Sequence, residues 1–213
     1  MTILVVDDEA EIRQLLRKFL EIEEFYVIEA VNGYDAVEKM TEEVKMVILD
    51  ICMPQCDGIE ACARIREKHM VPIMFLTAYS DEDSKMRCFE QGADDYLVKP
   101  FYQKDLILRV KALLRRCYNY NLELKTKSQE NNQNKEQEIK IGDLIICCGK
   151  KKVFLKEKEI SLTFLEYEIM LLLATNRGNI FSIQEIYEQV WKEAYYAESA
   201  NTVMVHIRNL RKK

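Results

Sequence analysis

Short apolar runs alternate with segments of helical period along the first 117 residues, and this rhythm limits the fold more than any other feature of the chain. The runs are ILVV (Ile3 to Val6), FYVIEA (Phe25 to Ala30), MVILD (Met46 to Asp50), PIMFLT (Pro72 to Thr77) and DYLVK (Asp95 to Lys99). Glu9 to Glu21, Tyr34 to Thr41, Ile59 to Lys68, Glu82 to Gln91 and Gln103 to Cys117 follow them in turn with helix-period apolar positions. Five such β/α alternations predict an α/β domain with a parallel sheet covered by helices on both faces. In a sheet of this kind ligands gather at the carboxyl ends of the strands.

Those strand ends are polar. The first run enters Asp7 and Asp8, the third ends on Asp50, the fourth on Thr77 and the fifth on Lys99-Pro100. A single strand-end acid is an ordinary cap or solvated turn, but three carboxylates meeting at one edge repel one another unless a cation lies among them. A hard, all-oxygen donor set with room for water suits Mg2+, which also takes up phosphate oxygens. Lys99 and the Thr77 hydroxyl add a positive charge and a donor for a phosphoryl group.

Composition divides the chain. The net charge of −5 over 213 residues hides an acidic segment 1–118, with 16 Lys and Arg against 23 Asp and Glu, and a basic segment 139–213, with 12 against 9. Between them residues 119–138, NYNLELKTKSQENNQNKEQE, are polar and lack Pro and Gly, as expected of a linker. The apolar runs fall short of the roughly 20 residues that cross a bilayer, and acids stand where a signal peptide carries positive charge, so a cytoplasmic protein without membrane contact is expected. The seven cysteines include no CxxC pair and predict neither a disulfide framework nor a zinc site.

In the basic segment, residues 139–161 alternate apolar stretches with Gly and Lys turns, as a small antiparallel sheet does. A helix then starts at the capping box Thr163-x-x-Glu166 and stops at Gly178; a second starts at Ser182 to Glu185 and ends near Trp191. On the last helix, SANTVMVHIRNLRKK, a helical wheel places Val203, Ile207 and Leu210 in a core stripe. Opposite them it places Asn201, Val205, Arg208, Asn209 and Lys212, with Thr202, His206 and Arg211 on the flanks. His206 taken alone reads as a packed or capping histidine.

The motifs ILVVDDE, VILDICMPQCDGIE, PIMFLTA and GADDYLVKPF resemble the receiver domain of bacterial response regulators over residues 1–118. The resemblance implies a flavodoxin-like, doubly wound five-stranded sheet of order 2-1-3-4-5. It makes Asp50 the phosphoacceptor and gives the Mg2+ shell to Asp7, Asp8, Asp50 and the backbone carbonyl of Cys52. Thr77 and Lys99 become phosphoryl ligands and Tyr96 the aromatic switch. A sensor histidine kinase is the implied phosphodonor. LTFLEYEIMLLL, QVW and NTVMVHIRNLRKK resemble the winged helix-turn-helix effector of the OmpR/PhoB type, a smaller α+β domain whose last helix enters the major groove of promoter DNA. Asn201, Thr202, Val205, Arg208, Asn209, Arg211 and Lys212 are then the expected DNA contacts. Phe164 stands where this family often has Pro, and the family continues past the last helix into a β-hairpin wing, so an effector without its wing is expected at Lys213.

The charge set Lys85, Glu90, Asp94, Asp95, Asp105, Arg109, Lys111 and Arg116 is similar to the family's helix-strand-helix interface and implies a homodimer on activation. RNA polymerase is a further candidate partner. The reading that results is a transcriptional response regulator, non-enzymatic beyond assisting its own phosphorylation and dephosphorylation. A phosphorylation-switched protein-interaction module with little DNA affinity is the alternative. A Mg2+-dependent phosphatase fits less well, because such enzymes favour a second carboxylate two residues after the nucleophile and Cys52 stands there. Cys52 and Tyr79 flank the path of a hydrolytic water, and neither positions it well at neutral pH. Decay of the acyl phosphate is therefore expected to be slow, and faster in Tyr79→Ala or Cys52→Asn when followed by loss of label; unchanged rates in both would remove these two residues from the control of lifetime.

Overall fold

The inner apolar runs of the first unit become strands because almost every residue in them fills a buried face. The computed structural model of the chain describes residues 1–78, 90–119, 138–149, 151–196 and 199–213, in two units, Met1–Cys117 and Tyr118–Lys213. In the first, β1 (Thr2–Val6), β2 (Tyr26–Ala30), β3 (Val44–Asp50), β4 (Ile73–Thr77) and β5 (Asp95–Val98) pair in parallel in the order β2-β1-β3-β4-β5. Ile3 to Val6, Met46 to Leu49 and Ile73 to Leu76 have no exposed surface, as expected of inner strands covered on both faces. The edge strands β2 and β5 are only partly buried.

Helices α1 (Ala10–Ile22), α2 (Gly33–Lys39), α3 (Gly58–Arg66) and α4 (Gln103–Leu114) cover the sheet; α1 packs against α4, and α2 against α3. Their ends follow local chemistry. Asn32 and Asp57 each accept a backbone N–H three residues on, from Asp35 and Glu60. Beyond Leu114 the predicted fifth helix continues as a π-helical turn, Arg115–Asn119. The predicted helix Glu82 to Gln91 falls outside the described residues except at its end. Arg66 anchors the end of α3 by donating to the carbonyls of Gly92 and Val71 and pairing with Asp94 at 2.6 Å.

The second unit opens with an antiparallel meander, β6 (Glu138–Ile141), β7 (Leu144–Cys147), β8 (Lys152–Leu155) and β9 (Lys158–Ile160). Three helices follow: α5 (Phe164–Thr175), α6 (Ile183–Trp191) and α7 (Ser199–Lys212). Both expected capping boxes form, Thr163 with Glu166 and Ser182 with Glu185. Gly178 takes φ +83° just past α5, a left-handed conformation that favours glycine. The core joins Ile146 and Val153 of the sheet to Leu165 and Ile169 of α5, Ile186 and Trp191 of α6, and Val203 of α7.

Gly58 is where α3 comes closest to the end of β3. A Cβ there would lie 2.1 Å from the Asp50 carbonyl oxygen and 2.9 Å from the Ile51 Cα, both backbone atoms that cannot swing aside. Gly58→Ala is expected to destabilise the first unit by about 1–3 kcal/mol or more, read as a lower midpoint in urea, and to displace Asp50. A wild-type midpoint would show that α3 shifts at no cost.

Candidate functional site

The carboxyl edge of the sheet brings the predicted polar groups together. Asp7 leaves β1 fully buried, Asp50 closes β3 at 5% exposure, and Thr77 ends β4 at 2%. Asp8, next in sequence to Asp7, is exposed. Oxygen atoms of Asp7, Asp8 and Asp50 lie within 4.8 Å of one another, so three strand-end carboxylates form one cluster that can bind a metal ion. The Lys99 ammonium reaches in from the end of β5, 2.7 Å from Asp50 Oδ1 and 2.8 Å from Asp7 Oδ2. Lys99 also donates its backbone N–H to the Thr77 carbonyl at 2.7 Å, which continues the β4–β5 ladder into the site, and the following Lys99-Pro100 bond is cis. Three acids against one ammonium leave the cluster negative, and an all-oxygen donor set fits a small, hard divalent cation.

Burial pushes the Asp50 carboxyl above the usual carboxylate range; the Lys99 ammonium opposes this without cancelling it, and the Asp7 and Asp8 charges add to the rise. For Lys99, burial works against the charged form, but its hydrogen bonds to Asp50 and Asp7 together with their charges outweigh burial and hold it above the ordinary lysine value. Cys52, whose carbonyl is the expected fourth ligand, is exposed. Tyr96 packs half-buried against the sheet core, and Tyr79 lies outside the described residues.

The predicted dimer surface is only partly available. Asp94 is 2% exposed and bound to Arg66, and Arg116 is buried at 8%, which takes both away from contacts across a two-fold axis. A side chain already desolvated inside its own subunit cannot also form a rim pair. Asp95 accepts from a single nitrogen of Arg109, Nη1, on both carboxylate oxygens, at 2.8 and 3.0 Å, and Lys111 pairs with Glu23. Glu90 is half-buried and Asp105 exposed, whereas Lys85 lies outside the described residues.

The helical wheel for α7 also needs correction. Val205 and Asn209, placed opposite the core by the wheel, are 3% and 8% exposed, and His206 is fully buried. The buried arc is centred on His206 and not on the aliphatic stripe, because the His206 ring packs at 5.7 Å against Trp191, itself stacked on Tyr187 at 5.0 Å. Asn201, Arg208, Arg211 and Lys212 are exposed as expected, and Thr202 is half-buried. Met204, which the wheel assigned to neither face, lies on the same exposed face at 55% exposure.

The raised Asp50 fixes the sign of a pH effect. Folding favours its protonated form, so the stability it contributes is present below the unfolded carboxylate pKa of roughly 3.9 and is lost as pH rises through the higher folded value. Asp50→Asn is expected to raise the thermal midpoint at pH 7 without divalent cation, with the gain shrinking as pH falls below that range. A midpoint gain independent of pH would mean that the carboxylate charge is not what burial penalises.

Comparison with known proteins agrees with this layout. The model for the response regulator receiver domain matches residues 3–111, and that for the C-terminal part of transcriptional regulatory proteins matches residues 157–213. The chain is 37% identical over 212 residues to the transcriptional regulatory protein SrrA of Staphylococcus aureus, covering 99% of this chain and 85% of SrrA. Among solved structures it resembles DrrB, a Thermotoga maritima OmpR/PhoB homolog, at 32% identity and a TM-score of 0.51 over 99% of this chain and 88% of that one. The BeF3-activated receiver domain of Klebsiella pneumoniae RstA matches 54% of this chain and 99% of its own at 29% identity and a TM-score of 0.52. Among the described residues no helix is long and apolar enough to cross a membrane. With its acid-lined receiver edge and its basic C-terminal helix on one chain, the protein belongs to the response regulators of the OmpR/PhoB type, a receiver domain joined to a DNA-binding transcriptional regulatory domain.

Proposed function

We propose that phosphorylation of Asp50 by a sensor histidine kinase switches the chain between states of different DNA affinity. The observation that carries this reading is the Lys99 ammonium bridging Asp50 and Asp7 inside a three-carboxylate cluster. An Asp50 oxygen attacks phosphorus in line as the bond from phosphorus to the donor's histidine nitrogen breaks. The nitrogen keeps the bonding electron pair, and the phosphoryl group ends as an acyl phosphate. Lys99 is placed to neutralise charge on the transferring oxygens, and the Thr77 hydroxyl to donate to one of them. Asp7, Asp8, Asp50 and the Cys52 carbonyl would hold Mg2+, which supplies further positive charge to those oxygens when bound. Tyr96, half-buried beside β4, is the switch residue in this reading, turning inward as Thr77 is drawn to the phosphoryl group.

Activation brings two receivers together through the face that carries Glu90, Asp95, Asp105, Arg109 and Lys111. The Asp95–Arg109 pair exchanges an intramolecular partner for one across the two-fold axis, so little net energy is gained and association is modest and salt-sensitive. In the effector, Asn201 and Arg208 on the exposed face of α7 read bases and Arg211 and Lys212 grip phosphates. RNA polymerase is the partner by which promoter binding reaches transcription.

The test is a binding titration on promoter DNA at several salt concentrations, with and without a small phosphodonor and Mg2+. Wild type is expected to take up one acyl phosphate and bind more tightly, and Asp50→Asn to do neither. Lys212→Ala is expected to lower the salt slope by about one unit for all sequences. Activation with beryllofluoride is expected to give a receiver-mediated dimer that Arg109→Glu breaks at physiological salt. Salt-insensitive, sequence-blind binding would favour a protein partner over DNA as the output.

A further inference from the structure

We propose that Arg13, anchored by Glu29, is the positioning residue of the acidic cluster, and that it sets how tightly the cluster binds a divalent cation. The inference rests on the reading of Asp7, Asp8 and Asp50 as a cation site.

Arg13 sits in the first turns of α1, on the backbone side of the loop that carries Asp7 and Asp8. Its Nη1 donates to the Asp7 carbonyl at 2.7 Å and to the Asp8 carbonyl at 3.0 Å. Its Nε lies 3.4 Å from Glu29 Oε2, and the side chain is only 12% exposed. Glu29 belongs to β2 and pairs in register with Val5, two residues before Asp7. It is held in turn: Arg17 donates to its other carboxylate oxygen and Lys39 to its backbone carbonyl at 2.8 Å. Rigid elements on both sides therefore fix the guanidinium.

Every polar group of Asp7 is thereby occupied. Its N–H donates to the Ala30 carbonyl at 3.3 Å, its carbonyl accepts from Arg13, and its carboxylate accepts from the Glu9 N–H at 2.9 Å and from Lys99 at 2.8 Å. The carbonyls of successive residues in a straight strand point in opposite directions, so aiming two of them at one nitrogen defines the bend at Asp7-Asp8. That bend lets Asp7 project inward and Asp8 outward while both keep an oxygen in the same 4.8 Å cluster. Mutual repulsion of the three carboxylates works to open the loop. A permanently charged guanidinium that holds both carbonyls through Nη1 and Glu29 through Nε opposes that opening, and a lysine ammonium, a single point of attachment, does not span carbonyls and carboxylate in the same way.

Groups that orient metal ligands change affinity by about 10- to 100-fold when removed, without touching the metal. Mg2+ binding is measured by calorimetry, and Mn2+ binding by electron paramagnetic resonance, on the full chain. The variants are Arg13→Ala, Arg13→Lys and Glu29→Gln, each with its thermal midpoint in chelator. Arg13→Ala is expected to weaken both cations about 10-fold, Arg13→Lys to recover part of the loss, and Glu29→Gln to lose severalfold. The Mg2+ concentration for half-maximal uptake of phosphate from a small phosphodonor is expected to rise in step, with a far smaller change in rate at saturating Mg2+. A residue that only staples α1 to β2 would lower the midpoint and leave both cation measurements where they were. Wild-type affinity in Arg13→Ala overturns the proposal, and if that variant does not fold, wild-type affinity in Glu29→Gln does so. A wild-type chain that binds neither cation overturns the cation-site reading itself, a different outcome from equal binding in wild type and variant.

Discussion

One ammonium group holds the carboxyl edge of the receiver together. Lys99 lies within 2.8 Å of both Asp7 and Asp50, which are 0% and 5% exposed. Buried carboxylates at that spacing cannot share a site without a compensating charge, since the same low dielectric that strengthens their attraction to Lys99 strengthens their repulsion. The strand order makes the compensation a property of the whole sheet. Asp7 and Asp50 end the neighbouring strands β1 and β3, and Lys99 arrives from the edge strand β5 beyond β4, 92 residues along the chain from Asp7. The site therefore exists only when all the strands between β1 and β5 are in register.

The same edge shows stability exchanged for chemistry. A core designed only for stability would not put a carboxyl whose ionised form burial disfavours at the end of a fully apolar strand. Burial disfavours the Asp50 charge more than Lys99 restores it, and the three-carboxylate cluster around it can hold a metal ion. The surroundings are over-determined by contrast. Gly58 brings the start of α3 against the Asp50 carbonyl, and Arg13 and Ala30 hold the backbone of Asp7 from two sides. A carboxylate held this way keeps its direction through changes of charge state.

In the second unit a hydrophobicity scale and a ring contact disagree, and the ring contact decides. Val203, Ile207 and Leu210 look like the core stripe of α7, yet the buried arc is centred on His206 under Trp191. The His206 ring lies in tilted contact with the buried Trp191, and Ile207, the next residue along the helix, is left only half-buried. That rotation withdraws Val205 and Asn209 from the exposed face and leaves Asn201, Met204, Arg208, Arg211 and Lys212 on it.

Much of this was legible in the sequence, for reasons that are local. Continuous apolar runs and period-3.6 patterns mark strands and helices because burial acts on each element separately, and Thr163-x-x-Glu166 or Ser182-x-x-Glu185 mark helix starts because a cap is satisfied within one turn. The strand-end set Asp7, Asp8, Asp50, Thr77 and Lys99 was readable for the same reason: parallel β/α order alone brings carboxyl ends to one edge. Tertiary structure alone decided which charges are already taken. Asp94 belongs to Arg66, Asp95 to Arg109, and the backbone of Asp7 and Asp8 to Arg13. Sequence spacing carries no trace of such pairs, because an ion pair depends on distance and desolvation between elements far apart in the chain, and these are set only when the elements pack.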